Sequence, residues 1–424
     1  MKNKTLLGVL VTTLAVVGTF TVLNHQSVAN AEDSSDTGSC IISVSKETAT
    51  GVLQLSDITT HWAKGAIDKA VQLGFAKGYP DGTFKPNSNV TRAEFIKMTV
   101  EALKLPVDSN TGGTWYDTYV NVAKKANLYV EADFKSGNLN SQMTRKEMAR
   151  LSSRAIGEKT TDDAKWMYLA TKKGLISGLG AGKLGESENT TRAQSVTIIG
   201  RILTVNAGGS LPVDKYAAAS AEVVWHGTNI FTVMPEVFTS NDPNKKDKVA
   251  ELWKKENMII NAKDGEYSGE IEYIIAIDLA DPNDPNLKLI PPISSLKWQN
   301  NTSSNSTLEG IPISKWKDSY LIYFKSKVIY SKNSAHYVPV STMNYVPLVI
   351  SGTYGDVNEY VNGTLNKIAP VFKDKPRDQT IYIFPKKGWL QNGALTVSIY
   401  APSYSNYYAK NQDLVSVSGP FFKE

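Results

Sequence analysis

Cysteine is nearly absent. Cys40 is the only one in 424 residues, which excludes a disulfide within this chain. Asp36-Thr37-Gly38-Ser39 lacks the aliphatic residue expected ahead of a lipid-modified cysteine, so Cys40 reads as an incidental thiol in a leader. Histidine is scarce too, with four in all. Once an N-terminal segment carrying His25 is set aside, His61, His226 and His336 offer little material for a His-rich metal centre or a His-based triad. No long Lys/Arg cluster occurs and the net charge is a mild +5, which argues against nucleic acid. Gly-x-Ser-x-Gly, P-loop and His-Glu-x-x-His motifs are missing, so the chain reads as non-enzymatic and without a cofactor.

What is present begins with an export signal over residues 1–31. Lys2 and Lys4 precede a mostly apolar run from Leu6 to Leu23, and Ala29-Asn30-Ala31 supplies a small-residue cleavage site. Cleavage there leaves no stable membrane span and lowers the net charge to +3, since the segment holds two lysines and no acid. A leader covers 32–52, and the remaining length suggests more than one domain.

One phrase recurs in the first half: Thr91-Arg92-Ala93-Glu94, Thr144-Arg145-Lys146-Glu147 and Thr191-Arg192-Ala193-Gln194. Each is a capping box, in which the Thr hydroxyl accepts from the N3 amide and the Glu or Gln returns to the N-cap amide. Helix chemistry does not account for the Arg, because a cation in the first turn faces the positive end of the helix dipole. Arg92, Arg145 and Arg192 therefore point either to an anion held by guanidinium and free helix amides or to an acidic side chain of a neighbouring copy.

Other positions keep the register. Ala70, Gly74 and Thr91 match Ala123, Asn127 and Thr144 at a shift of 53, then Ala170, Gly174 and Thr191 at a shift of 47. The unit is helix, loop, helix: an apolar stripe from Trp62 to Leu73, a turn-rich loop from Gly78 to Pro86, and a second helix opening at Thr91. Such a unit buries little alone, so three copies are expected to share a core.

The run Leu55-Ser56-Asp57-Ile58, His61-Trp62-Ala63, Gly78-Tyr79-Pro80-Asp81-Gly82-Thr83-Phe84-Lys85-Pro86 and Val90-Thr91-Arg92-Ala93-Glu94-Phe95 resembles an almost complete S-layer homology (SLH) repeat. The resemblance covers residues 53–206, with repeats at 53–106, 107–158 and 159–206, the latter two degenerate. It implies an all-α pseudo-trimer whose inter-repeat grooves bind a secondary cell-wall polysaccharide attached to peptidoglycan, typically one bearing a pyruvate ketal, at a Gram-positive cell surface. By the same resemblance Arg92, Arg145 and Arg192 would pair with the ketal carboxylate. Gly78 and Gly178 would let backbone approach the sugar, and Asp57, Trp62, Trp115 and Trp166 would line grooves. Copy three has Asp162 in register with Trp62, its Trp being displaced to Trp166. The alternative for each Trp is packing.

Residues 207–220 read as a linker, and 221–424 as a mainly β, sandwich-like domain. Glu270–Leu279, Tyr320–Tyr330, Tyr345–Ile350, Thr380–Phe384, Leu395–Tyr400 and Leu414–Val417 are the expected strands, with one amphipathic helix over Pro243–Asn257. Glu270 and Glu272 share a strand face, as a glycosidase pair or a solvated face. Asp278, Asp281 and Asp284 offer oxygens for Ca²⁺ or form turns. Tyr400, Tyr404, Tyr407 and Tyr408 make an adhesive surface or pack. The expected whole is a wall-anchored surface protein displaying a β domain, with a wall-anchored carbohydrate- or peptidoglycan-active enzyme and a small S-layer lattice subunit as the competing readings.

Overall fold

The computed structural model describes residues 55–109, 112–300, 310–407 and 409–419. The export signal, the leader with Cys40, and Tyr408 lie outside the described residues. Three helix pairs come first: α1 (Lys64–Gln72) with α2 (Arg92–Ala102), α3 (Asp117–Lys125) with α4 (Arg145–Ala155), and α5 (Lys165–Lys172) with α6 (Arg192–Asn206). All three capping boxes form, Thr91, Thr144 and Thr191 each accepting from the amide three residues on and receiving the Glu or Gln carboxyl or amide oxygen in return.

The residues just before those Thr caps join the copies in a closed cycle. The Val90 amide donates to Thr190 O (3.0 Å), Thr190 to Met143 O (2.8 Å) and Met143 to Val90 O (2.9 Å). The next two amides of each second helix run around the same circle: Arg92 and Ala93 donate to Ser141 and Leu139, Arg145 and Lys146 to Glu188 and Glu186, and Arg192 and Ala193 to Ser88 and Pro86. The first helix amides that the sequence offered to an anion are thus consumed by carbonyls of the neighbouring copy, as helix-end satisfaction requires. Side chains such as Ile67, Phe95, Val120, Met148, Ile198 and Ile199 fill the common core.

The expected linker is different. Asp214 caps α7 (Lys215–His226), its side chain accepting from the Ala217 amide, and Gly227 closes the helix in the left-handed conformation (φ 76°). Ala217, Ala218, Ala219 and Ala221 are buried, and their small side chains let α7 lie close against α5. Tyr168 of α5 packs on Trp225 of α7, ring centres 4.9 Å apart. Beyond a short α8 (Ile230–Val233), Asn229 pairs through both its amide atoms with the Ala276 backbone, tying this helical segment to the sheet.

The C-terminal part is mainly antiparallel β. Its strands are β1 (Ile259–Asn261), β2 (Tyr267–Asp278), β3 (Lys297–Trp298), β4 (Ile311–Pro312), β5 (Ser319–Ser331), β6 (Leu348–Tyr354), β7 (Ala369–Phe372), β8 (Ile381–Pro385), β9 (Leu390–Tyr400) and β10 (Asn411–Val417). A turn of helix, α9 (Val357–Val361), follows β6. Seven strands form one sheet in the order β1-β2-β5-β8-β7-β3-β4, and three form another, β10-β9-β6. One face of the large sheet, with Ile274, Ile322 and Phe324, shares a core with Leu348, Val397 and Ile399 of the small sheet. The opposite face buries Ile275, Leu321 and Ile383 with Trp298 and Tyr360. Covered on both sides, β2 reads as a nearly unbroken apolar run.

No helix spans Pro243–Asn257. Two 3₁₀ segments, Lys246–Leu252 and Lys255–Met258, take its place. Between them Trp253 is extended, its indole donates to His226 O, and the Lys254 amide joins the Leu414 carbonyl of β10. Pairing with the sheet edge overrides the amphipathic period.

Candidate functional site

The cyclic packing brings three different copies to each of two grooves of the helical unit. In the first, Trp62 of copy one, Arg145 of copy two, and Gln194 and Arg201 of copy three line a cavity of about 170 Å³. Arg145 donates from Nε to Leu184 O (2.8 Å) and from Nη2 to Ser177 O (2.6 Å). Arg201 donates from Nη1 to Leu175 O (2.9 Å). Neither guanidinium has a carboxylate within ion-pair reach among the described residues. Burial therefore presses both below the ordinary arginine value, with distant Glu188 opposing this only for Arg145. Trp62 stands beside them with 67% of its surface exposed. Two desolvated cations flanking an exposed indole match a carboxylate-bearing sugar, the ring offering a stacking face.

The second groove, about 240 Å³, repeats the plan with Trp115, Arg192 and Glu94. Arg192 donates to Phe84 O (3.0 Å) and Lys77 O (3.1 Å) and lies over the Phe84 ring. Here the position in register with Arg201 is Glu101, which pairs with Lys97 at 2.6 Å. Trp115 is 49% exposed.

The third set is closed by its own charges. Glu147 grips Arg92 through Nη2 (2.6 Å) and Nε (3.2 Å), while Nη1 donates to Ser136 Oγ and Asn138 O (both 2.8 Å). Four of the five donors of Arg92 are so engaged. Arg154 pairs with Asp133, and Asp162, where the other copies carry Trp, accepts from Trp225 of α7 at 3.0 Å. Arg92 thus follows the acidic-neighbour alternative, as a lock between copies one and two.

Other sequence candidates have internal duties. The Asp57 carboxylate accepts from the Phe84 and Lys85 amides, both at 2.8 Å, and pins the loop. A Cβ on Gly78 would stand 2.4 Å from Leu55 Cδ2, so that glycine serves the turn. Gly178 borders the first groove, but its amide donates to Asp214 Oδ2 (3.0 Å). Trp166 is buried at 4% exposure beneath Arg154, and packs. Arg201 went unnoticed in the sequence, although it lies ten residues past Thr191, as Glu101 and Arg154 do past Thr91 and Thr144.

In the β part, Glu270 and Glu272 pair across the strands with Lys327 (3.0 Å) and Lys325 (2.7 Å). Asp278 binds Lys386 (2.7 Å) and Lys215 (3.2 Å), Asp281 accepts from Tyr216, and Asp284 accepts from the Asp278 and Asn286 amides. These three carboxylates face separate partners.

A ring of helix pairs with arginine-lined grooves, carried ahead of a β unit, defines a multidomain protein with a candidate binding module. Comparison with known proteins specifies the module: residues 54–96 match the family profile of the S-layer homology domain. The chain carries an SLH domain at these residues and is a secreted, cell-surface or cell-wall-associated protein. It is 30% identical over 170 residues to an amylopullulanase of Thermoanaerobacterium thermosulfurigenes, covering 34% of this chain and 9% of that protein. A cellulosome-anchoring protein of Acetivibrio thermocellus is 43% identical over 51 residues (12% of this chain, 11% of that protein). S-layer protein EA1 of Bacillus anthracis is 26% identical over 162 residues (33% and 19%). The chain spans less than a fifth of the length of each of these relatives. Among the described residues no helix is long and apolar enough to cross a membrane.

Proposed function

We propose that the helical unit is a pseudo-threefold assembly of SLH repeats that anchors the protein non-covalently to a pyruvylated secondary polysaccharide of the Gram-positive cell wall. The groove of Trp62, Arg145 and Arg201 is its principal receptor. One observation carries this reading: a buried and a half-buried guanidinium, Arg145 and Arg201, neither with a carboxylate partner, border the most exposed indole of the unit. Gln194 is neutral there, whereas Glu94 and Glu147 hold the equivalent place in the other two copies. The Arg192 groove is the weaker site, because Glu94 and Glu101 oppose an anion, and the Arg92 set is structural.

The β part is then displayed from the wall for adhesion, binding or assembly. The lysines that engage Glu270 and Glu272 support a non-catalytic role. An anchored enzyme is the competing reading, since relatives named as enzymes match over only a small share of their length.

The test is co-sedimentation of the full chain with purified walls, before and after removal of the secondary polymer. Polymer-dependent binding, weakened in Arg145→Ala and Arg201→Ala and kept in Arg192→Ala, is expected. Equal binding by all variants sinks the groove assignment, and binding that survives polymer removal sinks the ligand class.

A further inference from the structure

His336 is a histidine that the sequence left without a role, and the fold gives it company. The turn between β1 and β2 carries Asp264 and Glu266, and the loop after β5 carries Asn333 and His336. His336 Nδ1 lies 2.9 Å from Glu266 Oε2 and 3.7 Å from Asp264 Oδ2, and one donor atom from each of the three residues falls within 4.8 Å of the others. Donors of a tetrahedral zinc site, at about 2.1 Å from the ion, stand about 3.4 Å apart. The two imidazole-to-carboxylate distances bracket that spacing, and the two carboxylates, within 4.8 Å of each other, close on an ion by side-chain rotation.

From this geometry we infer that Asp264, Glu266 and His336 form a binding site for a divalent transition metal of the zinc type. Imidazole with two carboxylates is a borderline donor set suited to zinc. Calcium, which takes six to eight oxygens, is poorly served by three protein donors of which one is nitrogen. Neighbouring side chains orient the carboxylates, as in metal sites, and Asn333 Nδ2, also 3.1 Å from His336 Nδ1, would yield its place to an ion. The buried Tyr337 donates its hydroxyl to Asp264 at 3.0 Å, and Asn333 Nδ2 donates to Glu266 Oε2 at 2.8 Å. All three side chains remain roughly a quarter to a third exposed, which leaves room for water to complete the coordination.

The segments involved are already tied. Lys332 N donates to Glu266 O, Tyr404 N donates to His336 O, and Tyr337 pairs with Ser403. An ion there clips the β1–β2 turn to the loop after β5, which in turn holds the exposed Tyr404 of the β9–β10 connection.

The experiment is calorimetric titration of the metal-free full chain with Zn²⁺ near neutral pH, with Ca²⁺ as the second arm. One zinc site is expected, weakened at least tenfold in His336→Ala and in Glu266→Gln, unchanged in His61→Ala, with calcium binding much weaker. Absence of saturable zinc binding overturns the site, as does zinc binding undiminished in His336→Ala. Should the variants fail to fold, imidazole nitrogen NMR of the unaltered protein decides. A zinc-dependent shift of His336 Nδ1 supports the site, and a shift confined to another histidine, or none, overturns it.

Discussion

Arg92 and Glu147 form a two-pronged ion pair across the boundary between copies one and two, with side chains only 8% and 10% exposed. In the pseudo-equivalent place Arg145 meets the neutral Gln194. The Arg position is thus an ion-paired lock in copy one, whereas Arg145 and Arg192 donate to backbone carbonyls.

Arg92→Ala leaves Glu147 buried and unpaired, and is expected to destabilise the fold by about 3–5 kcal/mol. Denaturant unfolding measures this. Wall binding by the fraction that remains folded should be nearly unaltered.

Removal of a charge-assisted contact from the open groove acts the other way. Arg145→Ala or Arg201→Ala should weaken polymer binding about 10–100-fold, the equivalent of about 1.5–3 kcal/mol. Gln194→Glu should weaken it as well, by supplying the carboxylate that copies one and two already carry. A titration of soluble polymer against each variant reads the effect.

Helix α7 sets a pH dependence of stability. Burial pushes Glu222 up to about 8 and His226 down to about 3. Between about 3 and 6.5 the unfolded chain holds a proton on His226 that the folded chain lacks, so stability rises with pH there. Between about 4.5 and 8 the folded chain keeps a proton on Glu222 that the unfolded chain has lost, so stability falls as pH rises. Thermal unfolding across this range should show a maximum near pH 4.5–6.5, and Glu222→Gln should flatten the alkaline decline. An unaltered decline in that variant places its origin elsewhere.

Gly352 adopts φ +91°, and a Cβ there would stand 2.1 Å from Ala394 O across the β6–β9 irregularity. Gly352→Ala should destabilise the small sheet by about 1–3 kcal/mol or more, read as earlier loss of amide protection in β6 and β9 than in β2 and β5.

The local half of this architecture was legible. A capping box is written within four residues, so three helix starts followed directly from three phrases, and the Ile/Val/Tyr runs marked the long strands. Cyclic closure was not legible, because Arg192 meets Phe84 at a separation of 108 residues, and no local pattern states which copy follows which. The Ala-rich stretch after Asp214 read as a linker because small residues also suit loops. Here they are small in order to bring α7 onto α5. Of the groove, Gln194 was in plain sight as the one amide among two carboxylates, and it acquires meaning only once Arg145 stands across from it. The metal-site candidate joins residues more than sixty positions apart, beyond the reach of any spacing rule.

The contact of α7 with α5, and of Asn229 with β2, packs the repeats against the segment that leads into the β unit. A domain on a loose tether sweeps out all directions above its attachment point. This one is mounted like a bracket, so the hold of the helical unit on the cell wall also dictates which side of the β unit points outward. Neighbouring molecules on one wall then present a common aspect to the surroundings.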